Sequence, residues 1–127
     1  MKTLVIDRSR WLRGEGADKS FLHRPEDGKQ CCLGFYLRSC RVPLRELRGA
    51  AIPSDLETVP SQAAWLDDGH GRSEECQRLM TVNDAYDLPD AEREEKIRKT
   101  FAEHKVKVRF VGRRGSPASS QEGREKP

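Results

Sequence analysis

The sequence predicts an α+β fold in which a small antiparallel sheet packs against three helices. Two observations indicate strands: residues 3–7 are rich in β-branched side chains, and residues 106–111 alternate apolar and basic side chains. Between these segments, apolar residues recur at spacings of three and four, which is the period of a helix. The chain has 127 residues, of which 35% are hydrophobic, so we expect one domain with a modest core.

Three segments carry strand signals. The first strand is predicted near 3–7, where an apolar run is flanked by charge. A second short strand is predicted near 20–23, because a Pro-Glu-Asp-Gly turn sequence follows it. The last strand, near 106–111, has one apolar face made by alternate residues. We expect it to pair with 3–7 and so complete the antiparallel sheet.

Three segments carry helix signals. The most apolar helix is predicted near 30–41, on residues Cys32, Leu33, Tyr36, Leu37 and Cys40. A second helix is predicted near 73–83, because Ser73 is a good N-cap for the helical pattern after it. A third is predicted near 89–104, since a proline and acidic residues favour the first turn of a helix. One further turn is predicted at 44–47, between prolines.

Charge is abundant but balanced, with 24 Lys+Arg against 21 Asp+Glu and a formal net charge of +3. This balance does not favour a dedicated nucleic-acid binder, which usually has a one-sided basic surface. No run of about 20 apolar residues occurs and the N-terminal apolar run is too short for a signal peptide, so we expect a cytoplasmic protein. Residues 1–111 are predicted to form one compact domain, and residues 112–127, rich in Gly, Ser, Pro and charge, a disordered tail.

The cysteines suggest a catalytic alternative. Cys31 and Cys32 lie at the start of a predicted helix, whose partial positive charge favours a thiolate. Residues 31–35 resemble the helix-borne cysteine of the papain-like peptidase superfamily, in which a histidine at the start of a strand is the base. The catalytic alternative is a cysteine-dependent hydrolase or transferase with Cys31 or Cys32 as nucleophile and His70 as base. However, His70 is not followed by the apolar strand that this family requires. Free cysteines are more often small buried residues of a core, which is the interpretation we prefer.

A zinc site would draw on the cysteines together with His23 and His70. Structural zinc sites usually consist of two closely spaced ligand pairs, and the cysteines at 31, 32, 40 and 76 lack that spacing. The sequence also has no glycine-rich phosphate loop, nucleophile elbow or metalloprotease helix. We therefore expect no metal and no cofactor, and we favour a protein that is not an enzyme.

Three short motifs resemble a group of small proteins from phages, prophages and bacteria. They are Arg10-Trp11-Leu12-Arg13-Gly14, Cys32-Leu33-Gly34-Phe35 and Asn83-Asp84-Ala85, the last opening into an acidic helix. The group has no established activity, so the resemblance implies an origin in a mobile element rather than a mechanism. For a phage-encoded protein, the expected location is the cytoplasm of the bacterial host.

These observations favour a small non-enzymatic interaction protein that binds and modulates a host protein, such as a host-takeover or anti-defence inhibitor. Trp, Tyr and Arg side chains dominate the affinity of protein interfaces. The expected binding residues are Trp11, Arg13, Trp65 and Arg72. The chain is expected to be a monomer or a homodimer.

Weak nucleic-acid binding is the second alternative, since the predicted folded part ends in a group of basic residues with no acidic residue between them. They are Lys105, Lys107, Arg109, Arg113 and Arg114. The competing interpretation is a solvated edge strand, on which Lys and Arg discourage pairing with other chains.

Overall fold

The computed structural model describes residues 2–67 and 72–113, which form a mixed structure of helices and strands. In chain order the elements are β1 (Lys2–Asp7), α1 (Cys32–Ser39), α2 (Leu44–Leu47), α3 (Glu74–Asp84), α4 (Asp90–Ala102) and β2 (Val106–Val111). Single 3-10 turns precede α1, and a longer 3-10 segment, Ser61–Leu66, precedes α3. No helix in these two ranges is long and apolar enough to cross a membrane.

The two strands form a parallel pair, so the predicted antiparallel sheet is wrong. The register runs from Lys2 opposite Val106 to Asp7 opposite Val111. Parallel strands need a long crossover connection, and the helices between β1 and β2 provide it. The chain leaves α4 through the turn 103–105, in which Lys105 adopts a left-handed φ of 63°. The periodicity of a strand indicates its buried face but not its direction.

Residues 20–23 do not form a strand, contrary to the sequence prediction. Their backbone hydrogen bonds go to separate loops: Leu22 N–H donates to Ala50 O at 2.8 Å, and Phe21 O accepts from Cys31 N–H at 3.0 Å. Helix α1 lies directly against this segment. A Cβ on Gly34 would overlap Leu22 O, so only glycine permits this approach.

The predicted positions of the longer helices are confirmed, with bounds that differ by a few residues. The hydroxyl of Ser73 accepts from Cys76 N–H at 3.1 Å, as expected of an N-cap. Helix α1 is shorter than the predicted 30–41. It ends because Arg41 adopts a left-handed φ of 73°, after which Val42 N–H donates to Leu37 O at 3.1 Å.

The core lies between the helices and the inner face of the sheet. Its largest fully buried side chains include Trp11, Tyr36 and Phe101. A buried ion pair joins the first loop to α4: Glu94 is 0% exposed, and Arg8 donates to both of its carboxylate oxygens at 2.8 Å. The i,i+4 spacing of Glu94 and Arg98 in the sequence predicts that Glu94 lies on the solvent-exposed face of α4. This prediction is wrong, because Arg8 arrives from a distant segment and pairs with the buried carboxylate.

Candidate functional site

The thiols proposed as nucleophiles are buried. Cys31 is 3% exposed and Cys32 is 0% exposed, although both lie at the start of α1 as predicted. Burial raises the pKa of Cys31 to about 12 and that of Cys32 well above its usual value. The protonated thiols are therefore poor nucleophiles at neutral pH. Cys40 and Cys76 are also free and buried, so all four cysteines belong to the core.

The proposed base, His70, lies outside the described residues, as does Arg114 of the basic segment. Within the described ranges, no cluster of three or more His, Cys, Asp or Glu side chains could hold a metal ion. The catalytic alternative therefore has no assembled site in the part of the chain that the structure describes.

Three of the four predicted binding residues are engaged within the domain. Trp11 is only 2% exposed, so its assignment as a surface contact is wrong. The guanidinium of Arg13 lies 4.5 Å from the Trp11 ring centroid and donates to Asp90 at 2.8 Å. Trp65 is half-buried; its indole N–H donates to Tyr36 Oη at 3.0 Å.

The basic residues of the nucleic-acid alternative lie on the outer side of the sheet. Lys107 and Arg109 are exposed on β2, and the register places Arg109 beside the 45%-exposed Val5. Lys105 and Arg113, which lie before and after β2 in the sequence, are also exposed. Phe110 is 8% exposed and faces the core, so it offers no ring for stacking a base.

Asn83, near the end of α3, is the centre of a buried polar cluster. Its Oδ1 accepts from Trp11 Nε1–H at 2.9 Å and from Cys32 N–H at 3.1 Å. Its Nδ2 donates to Leu12 O at 2.9 Å and to Asp84 Oδ1 at 3.0 Å. All four hydrogen-bonding positions of the amide are thus occupied. The cluster caps the N-terminus of α1 from another helix and explains why Cys31 can precede α1 without a side-chain cap.

Arg93 of α4 caps the C-terminal end of α3. It is 3% exposed, and its guanidinium donates to Val82 O at 2.7 Å, Ala85 O at 3.0 Å and Leu88 O at 2.6 Å. These carbonyls would otherwise lack partners at the helix end and in the following loop. Together, the Asn83 cluster and Arg93 fix the segment that carries Asp84, Ala85 and Tyr86.

This fixed segment borders a surface cleft of about 380 Å³. One wall is a face of α3 made by residues 77, 80, 81 and 84, which follow the helical spacing i, i+3, i+4 and i+7. The opposite wall is Gly16 with Ala17, and Tyr86 and Arg72 complete the rim. Gly16 N–H donates to Asp84 O at 3.0 Å, which holds the two walls together. We call this feature the α3 cleft.

The α3 cleft combines an apolar floor with groups of both charges. Tyr86 is 76% exposed, and a Cβ on Gly16 would stand only 2.6 Å from its hydroxyl, so the ring leans across the glycine. Asp84 is 7% exposed; burial raises the pKa of its carboxyl, which hydrogen bonds from Asn83 and Ser20 partly oppose. Arg72 is exposed, with Nη1 3.9 Å from Met80 Sδ. Of the predicted binding residues, only Arg72 borders the cleft.

The sequence contained a signal for this cleft that the prediction did not use. Residues 76, 79 and 83 form the core face of α3, whereas 77, 80, 81 and 84 form a second face with a methionine at its centre. Tyr86 lies two residues after the end of α3 and is not part of a periodic apolar pattern, as expected of an exposed aromatic residue. The sequence Asn83-Asp84 is typical of a structural turn, and as a substrate-orienting pair it has no partner that the sequence alone identifies.

Comparison with known proteins leaves the site as the main guide to function. No protein-family model, no curated protein and no solved structure matched this chain.

Proposed function

We propose that the chain is a non-enzymatic interaction protein that binds a bacterial host protein through the α3 cleft and thereby modulates it. The observation that carries this proposal is the juxtaposition of a 76%-exposed tyrosine with a nearly buried carboxylate in one cleft. Tyrosine is enriched among the residues that dominate the affinity of protein interfaces, and these residues cluster near the interface centre. The proposed setting is the cytoplasm of a host cell, and the proposed origin is a phage or another mobile element.

The chemistry of the cleft favours a lysine or arginine side chain of the partner. An aliphatic stem would lie along Met80 and Ala17, while the cation would reach the Asp84 carboxylate and the face of the Tyr86 ring. The volume of about 380 Å³ suits one long side chain with part of its backbone. Arg72, at the rim, would donate hydrogen bonds to a carboxylate or carbonyl of the same segment.

A cation in the cleft would also stabilise the charged form of Asp84. Burial disfavours that form in the free protein, and an opposite charge at hydrogen-bonding distance favours it. A neutral or acidic side chain would leave the carboxylate without this compensation. The cleft is therefore expected to discriminate between basic and acidic partner segments.

Selection from a library of random peptides displayed on a carrier tests this proposal. Peptides retained by the wild-type chain are expected to be enriched in Lys or Arg, and their binding is expected to fall at least tenfold in Tyr86→Ala. Thr81→Trp places a large side chain at an exposed position of the cleft wall and is expected to abolish retention. Arg78→Trp, at a 47%-exposed position of the same helix outside the cleft, is the matched control.

Two outcomes would contradict the proposal. One is enrichment of acidic or purely apolar peptides, which would show that the Asp84 carboxylate does not select the occupant. The other is equal loss of binding in Thr81→Trp and Arg78→Trp, which would place the binding surface elsewhere. Loss of peptide binding in moderate salt together with retention of nucleic acid would instead favour the basic residues of β2.

A further inference from the structure

A second group of polar side chains surrounds Gly28, in the loop before α1. Gly28 has a left-handed φ of 73°, and the point where a Cβ would stand lies 3.5 Å from Arg10 Nη2 and 3.7 Å from His23 Nε2. The backbone of Arg48 forms an isolated bridge with that of His23, and the charge of Arg48 acts on the His23 imidazole. We call this group, Arg10, His23, Gly28 and Arg48, the Gly28 niche. It brings two arginines and a histidine together from three separate segments of the chain.

The two arginines of the niche lack a carboxylate partner among the residues that the structure describes. Some arginines of the domain contact carboxylates within 4.0 Å: Arg8 contacts Glu94, Arg13 and Arg93 contact Asp90, and Arg24 contacts Asp27 and Glu15. Within residues 2–67 and 72–113, Arg10 and Arg48 form no such salt bridge. Both are exposed, and the positive charge of each is close enough to His23 to act on its imidazole.

His23 is the buried member of the niche. It is 9% exposed, and its Nδ1 has no hydrogen-bond partner among the described residues. Burial first, and then the charges of Arg48 and Arg10, lower its pKa. The nearby acid is Asp27, but Arg24 holds both of its oxygens, at 3.2 Å and 2.7 Å, and Lys29 N–H donates to it at 3.0 Å. The carboxylate is therefore already neutralised by its own partner.

We propose that the Gly28 niche binds the phosphoryl group of a small molecule, or free phosphate. Arg10 and Arg48 supply the positive charge, His23 Nε2 supplies a directional hydrogen bond, and the missing side chain of Gly28 leaves room for the oxygens. A buried neutral histidine with two unpaired arginines beside it is a suitable environment for an oxyanion and an unfavourable one for a cation. This site is independent of the α3 cleft and of the proposal made for it.

Nuclear magnetic resonance titration of the full chain tests this assignment. Inorganic phosphate, added at constant ionic strength and pH, is expected to shift the His23 ring resonances in a saturable manner. Arg10→Gln and Arg48→Gln, at exposed positions, are each expected to weaken the apparent affinity about tenfold, which corresponds to one lost charge-assisted hydrogen bond. Arg45→Gln, an exposed arginine of α2 outside the niche, is expected to leave the titration unchanged.

A second arm distinguishes the source of the phosphoryl group. Tighter saturation by adenosine monophosphate than by inorganic phosphate would support the proposal and assign the group to a larger ligand. Equal affinities would support it with free phosphate as the ligand. The proposal is overturned if the His23 resonances do not saturate with either anion, if chloride shifts them equally, or if Arg45→Gln weakens binding as much as Arg48→Gln.

Discussion

Replacing Asn83 with alanine is expected to destabilise the domain strongly. The substitution leaves Trp11 Nε1–H, Cys32 N–H and Leu12 O without their partner, in surroundings where water has little access. Each unsatisfied buried neutral group costs about 1–3 kcal/mol, so the three together cost about 3–9 kcal/mol. Since small domains are stable by only about 5–15 kcal/mol, this loss is a large fraction of the free energy of unfolding.

Urea denaturation followed by circular dichroism measures this loss. Thr81→Ala, on an exposed position of the same helix, is the control and is expected to change the free energy of unfolding by less than about 0.5 kcal/mol. A loss below about 1 kcal/mol in Asn83→Ala would refute the reasoning, because it would mean that the three partners lose nothing when the amide is removed.

The variant Asn83→Asp tests the same cluster through its pH dependence. The new carboxylate keeps an acceptor for Trp11 and Cys32 but would lie beside Asp84, so its pKa in the folded state is raised above that in the unfolded chain. A raised pKa contributes stability at low pH, and this stability is lost as the pH rises through the folded-state value. The destabilisation by Asn83→Asp is therefore expected to be larger at pH 7 than at pH 4, and the reverse order would contradict this account.

Three further predictions concern single positions. Gly34→Ala is expected to lower the free energy of unfolding by about 3 kcal/mol or more, because the new Cβ would overlap the backbone at Leu22. Urea denaturation measures this loss, and an unchanged free energy of unfolding would contradict the packing of α1 against Leu22. Arg41→Gly is expected to raise the free energy of unfolding by about 0.5–1 kcal/mol, since glycine adopts the left-handed conformation without strain. A lower free energy of unfolding would mean that contacts of the Arg41 side chain stabilise the fold by more than the backbone strain destabilises it. The four cysteines are expected to resist alkylation at pH 8 in the native state and to react fully in urea, which mass spectrometry measures. Rapid labelling of Cys31 or Cys32 in the native state would restore the catalytic alternative.

Local patterns predicted the helices well because the signals are themselves local. Ser73 caps α3 through a residue three positions away, and the apolar spacing of α4 matches its buried residues Ile97 and Phe101. The direction of β2 was not predictable in this way. It depends on how the intervening helices return the chain, and alternation of apolar residues is the same in parallel and antiparallel strands.

The burial of polar and aromatic side chains was harder to predict than the helices. Trp11 follows charged residues and was assigned to the surface, but Asn83 provides an acceptor for its indole N–H inside the core. Glu94 was assigned to the solvent-exposed face of a charged helix, but Arg8 pairs with it from β1's end. In both cases the partner lies more than 70 residues away in sequence. A buried polar residue can be recognised only when its distant partner is known.

Site-specific photo-crosslinking tests the central claim, that the α3 cleft binds a host protein through a basic side chain. A benzophenone amino acid at position 86 replaces one exposed aromatic ring with another, and the same residue at Arg78 is the control on the neighbouring exposed surface. In bacterial lysate, position 86 is expected to capture one host protein at a peptide containing Lys or Arg, and Thr81→Trp is expected to prevent capture. Equal capture from positions 86 and 78, or capture that survives Thr81→Trp, would contradict the claim.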